Sequence, residues 1–454
     1  MPLHRDSLIA TQPRAADVII VGAGVSGLQA ALKLQQSGAF CLVLEESGRV
    51  GSQAFTNGTF HLEHHPRTYA LAVELGILDE PHPAQGKAVL EGFAAFDHHE
   101  QPALNAEDAA SLLQIKAILD TLSLRNDTPP TDVTVEQLVD SYGATEVVAR
   151  MANLWTRTIF GLSSHNVSVA QFLSHCASCG GLLAVLDTIN GLSDDDADHF
   201  AITGGSNQIA TALSQRLSPG TVQLRQKVTH IEHGANGCTL YAESGATFRA
   251  TKVVLAGALS MCSAIQITPG IAAATVWEAA RDEQGFSTTV DVLFDHPWWQ
   301  RRGLSGHAQG LTGGPITQVR PSCRTDIDSP GLYALSCQVS GEQARGMWLW
   351  LMSAEERETL IAQHLGAIFG GDVPRAVQVV EADEDPLVGG QRSLNVAAAA
   401  GGNAEGGVHF AGAAASSVWR GHVEGALAAG EGVAIEVLGA LGSLGGIQMM
   451  APRL

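Results

Sequence analysis

The chain has 454 residues, 26 Lys and Arg against 46 Asp and Glu, and a formal net charge of −20. With 45% hydrophobic and 16% charged residues it has the apolar content for sizeable cores, which excludes wholesale disorder and makes two domains the default at this length. A charge this negative, with no compensating Lys/Arg run, is repelled by phosphates and excludes nucleic acid as a partner.

Asp17-Val18-Ile19-Ile20-Val21 is a β-branched apolar run that ends in glycines, the pattern of a buried parallel strand. From Leu28 to Gln36 apolar positions recur at helical spacing, Gly38 is a stop signal, and Cys41-Leu42-Val43-Leu44 is a second buried strand. The chain therefore opens on a strand-helix-strand unit. From about 105 to 190 the periodicity becomes helical with caps, as at Thr134, which precedes Glu136 and apolar positions. Strand patterns resume at Val222, at Val228 to Ile231, at Cys238 to Tyr241 and at Lys252 to Ala256; a helix is expected over Glu355 to Phe369 and a last buried strand over Val408 to Gly412. This interleaving predicts one discontinuous α/β domain and a second domain built from the intervening segments.

Gly22-Ala23-Gly24-Val25-Ser26-Gly27 lies between the first strand and helix. Gly22 permits the tight turn, Gly24 lets backbone approach a pyrophosphate, Gly27 allows close helix packing, and the helix amino end favours the anion. Glu45 ends the second strand, 23 residues after Gly22, where a carboxylate accepts hydrogen bonds from ribose hydroxyls. Together these features predict a dinucleotide site.

The sequence resembles the flavin-containing amine oxidases, the family of monoamine oxidases, polyamine oxidases and L-amino-acid oxidases. The resemblance is carried by Val43-Leu44-Glu45-Glu46-Ser47-Gly48-Arg49-Val50-Gly51, Gly204-Gly205-Ser206, Lys227 to Ile231, Phe410-Ala411-Gly412, and Trp419-Arg420-Gly421-His422-Val423-Glu424-Gly425 through Gly430. It covers residues 17 to about 436. It implies a discontinuous Rossmann-like FAD-binding domain (15–82, 199–283 and 386–440), an α+β substrate domain (83–198, mainly helical, and 284–385) and a tail (441–454). It also implies FAD contacts for Gly22, Gly24, Ser26, Gly27, Glu45, Arg49, Gly51, Gly58, Thr59, Val228 (through its backbone), Gly412, Trp419 and Val423. The helix start at 419–425 would sit against the flavin and stabilise negative charge on it.

Three departures from the family pattern matter. The family's flavin-facing lysine, about ten residues before the Pro297-Trp298-Trp299 segment, is Thr289 here, and only five lysines exist (Lys33, Lys87, Lys116, Lys227, Lys252), none beyond 252. The tyrosine pair that sandwiches the amine is replaced by Arg392 and His422, and Gln391 stands in place of the flavin-linking cysteine, so FAD is expected to bind non-covalently. Phe60 stands where amino-acid oxidases of the family carry a carboxylate-binding arginine. Arg392 is thus a candidate to hold a carboxylate or enolate and His422 a candidate acid or base, each beside a plainer alternative: a structural ion pair for Arg392, a packed ring for His422.

No metal is expected. His61, Glu63, His64 and His65 follow the flavin-covering loop, Cys176-Ala177-Ser178-Cys179 lacks a second CxxC and reads as buried thiols, and Asp194 to Asp198 reads as a solvated loop. Seven cysteines do not form a disulfide framework, and three sequons (Asn57, Asn126, Asn166) carry little weight without a secretory signal. The start lacks an apolar signal core, and Val437 to Pro452 is shorter than the roughly 20 apolar residues of a membrane span, so a cytoplasmic location is expected, with the final Pro452-Arg453-Leu454 a weak peroxisomal address. The expected activity is oxidation of a specialised small molecule at a C–N or adjacent C–H bond, with dioxygen as oxidant and oligomeric state open. A flavin-dependent desaturase or isomerase, or a non-catalytic FAD-binding protein with Ala413-Ala414-Ala415 beside the flavin, are the alternatives.

Overall fold

The computed structural model describes residues 14–51, 60–79, 85–97, 100–125, 132–190, 199–203, 205, 207–257, 262, 264–271, 285–321, 331–349, 352–371, 373–381 and 406–442. The opening unit is β1 (Arg14–Val21), α1 (Val25–Gln36) and β2 (Cys41–Leu44). β1 starts three residues before its apolar run because Arg14, Ala15 and Ala16 already pair with a neighbouring strand, and α1 starts at Val25 because the glycine loop itself supplies the first helical turn. Next come β3 (Phe60–His61), α2 (Pro66–Leu75), β4 (Leu78–Asp79) and β5 (Lys87–Leu90), then a helical block of α3 (Ala106–Leu124), α4 (Val135–Ser141), α5 (Glu146–Phe160), α6 (Val169–Ser178) and α7 (Leu182–Asn190). The Thr134 cap is a capping box whose return partner is Gln137, one residue beyond the Glu136 of the sequence reading, since only the third helical position reaches back to the cap amide.

β6 (His199–Ile202), α8 (Asn207–Arg216), β7 (Val222–Gln223), β8 (Val228–Gly234), β9 (Gly237–Ala242), β10 (Thr247–Leu255) and β11 (Gln266–Thr268) return the chain to the first layer. After them come β12 (Ser287–Phe294), β13 (Leu304–Gln309), β14 (Ile316–Pro321), β15 (Tyr333–Ser340), β16 (Gln378–Glu381), β17 (Val408–Phe410) and a C-terminal helix, Val423–Gly442.

Two large sheets organise these elements. The first has the order β11-β8-β9-β10-β1-β2-β7, with β17 also on β10, and β1 runs parallel to both β10 and β2. Being covered on both faces, its central strands are continuously apolar, and Ile19, Ile20 and Val43 are fully buried. α1 and the C-terminal helix share one of its cores, with Leu28, Leu34, Val423, Leu427 and Val437. They lie so close that a β-carbon on Gly430 would sit 2.4 Å from the Ser26 carbonyl oxygen. Among the described residues the C-terminal helix is the one single helix long and apolar enough to cross a membrane, and here that apolar content meets α1.

The second sheet has the order β16-β12-β15-β14-β13-β5, so the segment expected to be mainly helical also contributes an edge strand, β5. Val290, Cys337, Val319, Ala308 and Val89 line one face and pack with Ile361, Leu365 and Ile368 from the helix Ala354–Ile368. The opposite face turns toward the helical block.

Candidate active site

The strand-turn-helix geometry of the glycine loop is built for a dinucleotide. Gly22 has φ +109° against the Ala256 backbone, and a β-carbon on Gly27 would fall 2.2 Å from the Gly22 carbonyl oxygen, whereas one on Gly24 meets no heavy atom within 4 Å. The loop is thus closed behind and open in front, where a pyrophosphate needs room above the helix amino end. Glu45, 2% exposed, accepts hydrogen bonds from the Ala23 amide at 2.7 Å and the Ser47 amide at 2.9 Å, which ties the loop to the end of β2. Gly51 donates to the Ala23 carbonyl. Ser26 faces backward, its hydroxyl shared between the Ala256 and Ala411 carbonyls, so it joins α1 to the ends of β10 and β17. The Arg49 side chain is exposed, and Val228 is buried at the start of β8.

A second group forms at the start of the C-terminal helix. Gly412 precedes the short turn Ala413–Ala415, whose first carbonyl accepts from the Gly421 amide. Trp419, in the left-handed region at φ +43°, donates its amide to the Ser178 carbonyl of α6 and so links the two halves of the molecule. Its ring lies 4.5 Å from that of His65, 5.5 Å from His64 and 5.2 Å, edge on, from His422. His422 also faces His175 at 5.9 Å, and the ligand atoms of His175, Cys179 and His422 lie within 4.8 Å of one another. The expectation of no metal took the histidine and cysteine runs one at a time; the fold instead brings Cys179 from one run, together with His175, against His422. Burial pushes the Cys179 thiol up to about 12 despite hydrogen bonding from Ser178 and the nearby Arg420 charge, so it is protonated at neutral pH and is no redox nucleophile. Within the 61–65 run, the His61 and Glu63 amides approach the Nδ1 atoms of His65 and His61 at 3.2 and 3.3 Å, which occupies those nitrogens in a local turn.

Glu424, 1% exposed, fixes this arrangement. It accepts from the Thr68 amide (2.9 Å), the Thr68 hydroxyl (2.8 Å) and the Arg67 amide (3.1 Å), holding the start of α2 against the start of the C-terminal helix. Its carboxylate therefore serves two helix amino ends at once. The sequence reading passed over Glu424 as part of a motif; a carboxylate in the first turn of an apolar helix was the available signal.

Thr289 lies on β12. Registers place Thr289 opposite Gln338, Gln338 opposite Gln318, and Gln318 opposite Gln309, so these four side chains form a polar row on the face turned to the helical block. A second row two residues along runs Asp291, Ser336, Arg320. A polar row on the interior face of a sheet needs an explanation that core packing does not give. Beside it lies a shallow surface cleft with an enclosed volume of only about 20 Å³, lined by Phe96, Ile189, His307, Gln309, Gln318 and Arg320 among others. α7 connects the two regions: its Asp187 lies 3.9 Å from His64, and its terminal Ile189 carbonyl accepts from Gln318 at 2.7 Å and from Arg320. Sequence reasoning missed this row, although period-two alternation in Thr289-Val290-Asp291 and Gln318-Val319-Arg320 would have marked it. Arg392, Gly58 and Thr59 lie outside the described residues, as do Gly204, Ser206, Gln391 and Asp194 to Asp198. Phe60 is buried, stacked on Phe200 at 5.3 Å.

Known proteins agree with this architecture. Residues 25–438 match the family described as flavin containing amine oxidoreductase. The chain is 24% identical to a flavin-containing monoamine oxidase of Mycobacterium tuberculosis over 94% of this chain and 98% of that one, and 24% identical to amine oxidase [flavin-containing] B of Mus musculus over 94% and 87%. Its fold superposes on putrescine oxidase with TM-score 0.80 at 21% identity, covering 94% of this chain and 100% of that one, and on cyclohexylamine oxidase of Brevibacterium oxydans with TM-score 0.77 at 23%, covering 94% and 99%. With a glycine loop that fits a dinucleotide and a match spanning both sheets, the chain belongs to the flavin-containing amine oxidase family and is an FAD-dependent oxidoreductase.

Proposed function

We propose that this enzyme oxidises a specialised small-molecule amine at the carbon beside nitrogen, with FAD held non-covalently and dioxygen as the final oxidant. The observation that carries the reading is the ring cluster at the start of the C-terminal helix: His65, His175 and Trp419 gather around His422, where the family resemblance puts an aromatic cage beside the flavin. When bound, FAD supplies a hydride acceptor. The chain does the rest. His422, half-buried and next to the helix start, takes the proton that an ammonium substrate must lose before its nitrogen lone pair can assist C–H cleavage. Trp419 and Phe60 shield the site from bulk water, and the Glu424 clamp holds the α2 loop against it. Arg392 and His422 in place of the tyrosine pair, and Thr289 in place of a lysine, suit a substrate other than common biogenic amines.

The test is peroxide release and dioxygen uptake by the holoenzyme across a panel of primary, secondary and cyclic amines. Stoichiometric peroxide with at least one class supports the reading; conversion without dioxygen uptake overturns it in favour of a desaturase or isomerase. Because the chain has no cysteine beyond Cys337, acid precipitation should release all flavin into the supernatant, and flavin retained in the pellet would refute non-covalent binding.

A further inference from the structure

Nothing in the oxidation of a simple amine requires the guanidinium at the cleft. Arg320 donates to the Thr188 carbonyl at 3.3 Å and to the Ile189 carbonyl, both at the end of α7. Although part of the residue reaches solvent, the guanidinium lies under α7, and burial lowers it to about 10; among the described residues no carboxylate pairs with it, and Asp291, the acid of its own row, stands two strands away beyond Ser336. Two helix-end carbonyls offset at most about half a charge, and a cation held out of water without a counter-ion is costly. A row of neutral hydrogen-bonding side chains, Gln309, Gln318 and Gln338, runs beside it along the same sheet face.

We propose that the cleft is the outer part of the substrate site and that Arg320 receives a carboxylate carried by the substrate at the end remote from the oxidised C–N bond. The substrate class is then an elongated amino carboxylate. This rests on the oxidase reading above, in which Thr289 marks the flavin end of the polar row. Arg320 is two strands across and two residues along from Thr289, about 12 Å between α-carbons at ordinary strand spacing. An α-amino acid, with both groups on one carbon, does not span that interval; a chain with its amine and carboxylate at opposite ends does. With a net charge of −20 the protein as a whole repels carboxylates, so a local cation has to supply their recognition.

The experiment compares unbranched ω-amino carboxylates, from 4-aminobutanoate to 8-aminooctanoate, with n-alkylamines of matched length on the holoenzyme. Both turnover and calorimetric binding are read, with hexanoate as a probe that cannot be oxidised. A charged hydrogen-bonded pair predicts a tenfold to hundredfold preference for the carboxylates. Arg320→Gln, which keeps an amide donor for the α7 carbonyls, should erase that preference by weakening only the carboxylates. Ser336→Asp, opposite Arg320 in the ladder, should erase it while leaving the helix cap intact, and it decides the matter if Arg320→Gln fails to fold. Equal binding of both series by the unmodified enzyme, or equal weakening of both by the variants, overturns the proposal. Turnover of alkylamines without carboxylate preference refutes this inference and leaves the oxidase reading; saturable hexanoate binding that depends on Arg320, with no amine turned over, does the reverse.

Discussion

Replacing Glu45 by Gln tests the link between the glycine loop and the cofactor. Its two carboxylate oxygens each accept a backbone amide, from Ala23 at 2.7 Å and from Ser47 at 2.9 Å, in a side chain that is 2% exposed. Hydrogen bonds to a charged partner contribute about 1.5–3 kcal/mol each. Glu45→Gln keeps one neutral acceptor and turns the other oxygen into a donor facing a donor, so the loss is about 2–4 kcal/mol. Because FAD binds only the closed loop, this should weaken FAD roughly 30- to 700-fold at 1.4 kcal/mol per factor of ten. The assay is titration of apoprotein with FAD, followed by quenching of flavin fluorescence, with the melting temperature of the apoprotein read alongside. FAD affinity within threefold of the unmodified protein would refute the reasoning, and a lowered apoprotein melting temperature with unchanged affinity would assign Glu45 to the fold alone.

His422→Gln should slow amine-dependent flavin reduction about 100-fold, as expected for loss of a proton acceptor, while FAD affinity changes by less than threefold; unaltered stopped-flow reduction would show that the ring is only packed. Burial alone would raise the Glu91 carboxyl, but the His364 imidazole 3.6 Å away and hydrogen bonds from the Thr312 amide and hydroxyl bring it from 4.5 down to about 2. The stability it contributes is therefore complete above pH 4.5 and lost as pH falls toward about 2. Glu91→Gln should flatten that part of the acid limb, and an unchanged dependence of melting temperature on pH in that window would contradict the assignment. Gly430→Val puts a β-carbon 2.4 Å from the Ser26 carbonyl oxygen, a backbone atom, and overpacking of this kind costs about 1–3 kcal/mol. It should lower the melting temperature by several degrees and loosen FAD as the C-terminal helix moves off α1; a melting curve that superposes on that of the parent would count against the close helix contact.

The dinucleotide unit was legible in the sequence because its geometry is local. Gly22, Gly24, Gly27 and Glu45 lie within one strand-helix-strand run, and the Ala23 to Glu45 hydrogen bond closes inside it. Absences were equally legible: the chain has no lysine beyond residue 252 and no cysteine beyond 337 whatever the fold does. Only the tertiary structure decided what surrounds His422. His65 reaches it from the start of α2, and His175 and Cys179 from the end of α6, segments far from it in the chain; His65 and Cys179 each looked like a separate structural residue while read in its own stretch, and His175 gave no signal. The polar row is the same case, since Thr289, Gln338, Gln318 and Gln309 become neighbours only through the registers of three antiparallel pairings. Strand register follows from which faces are buried, a property of the assembled layers that no single segment carries.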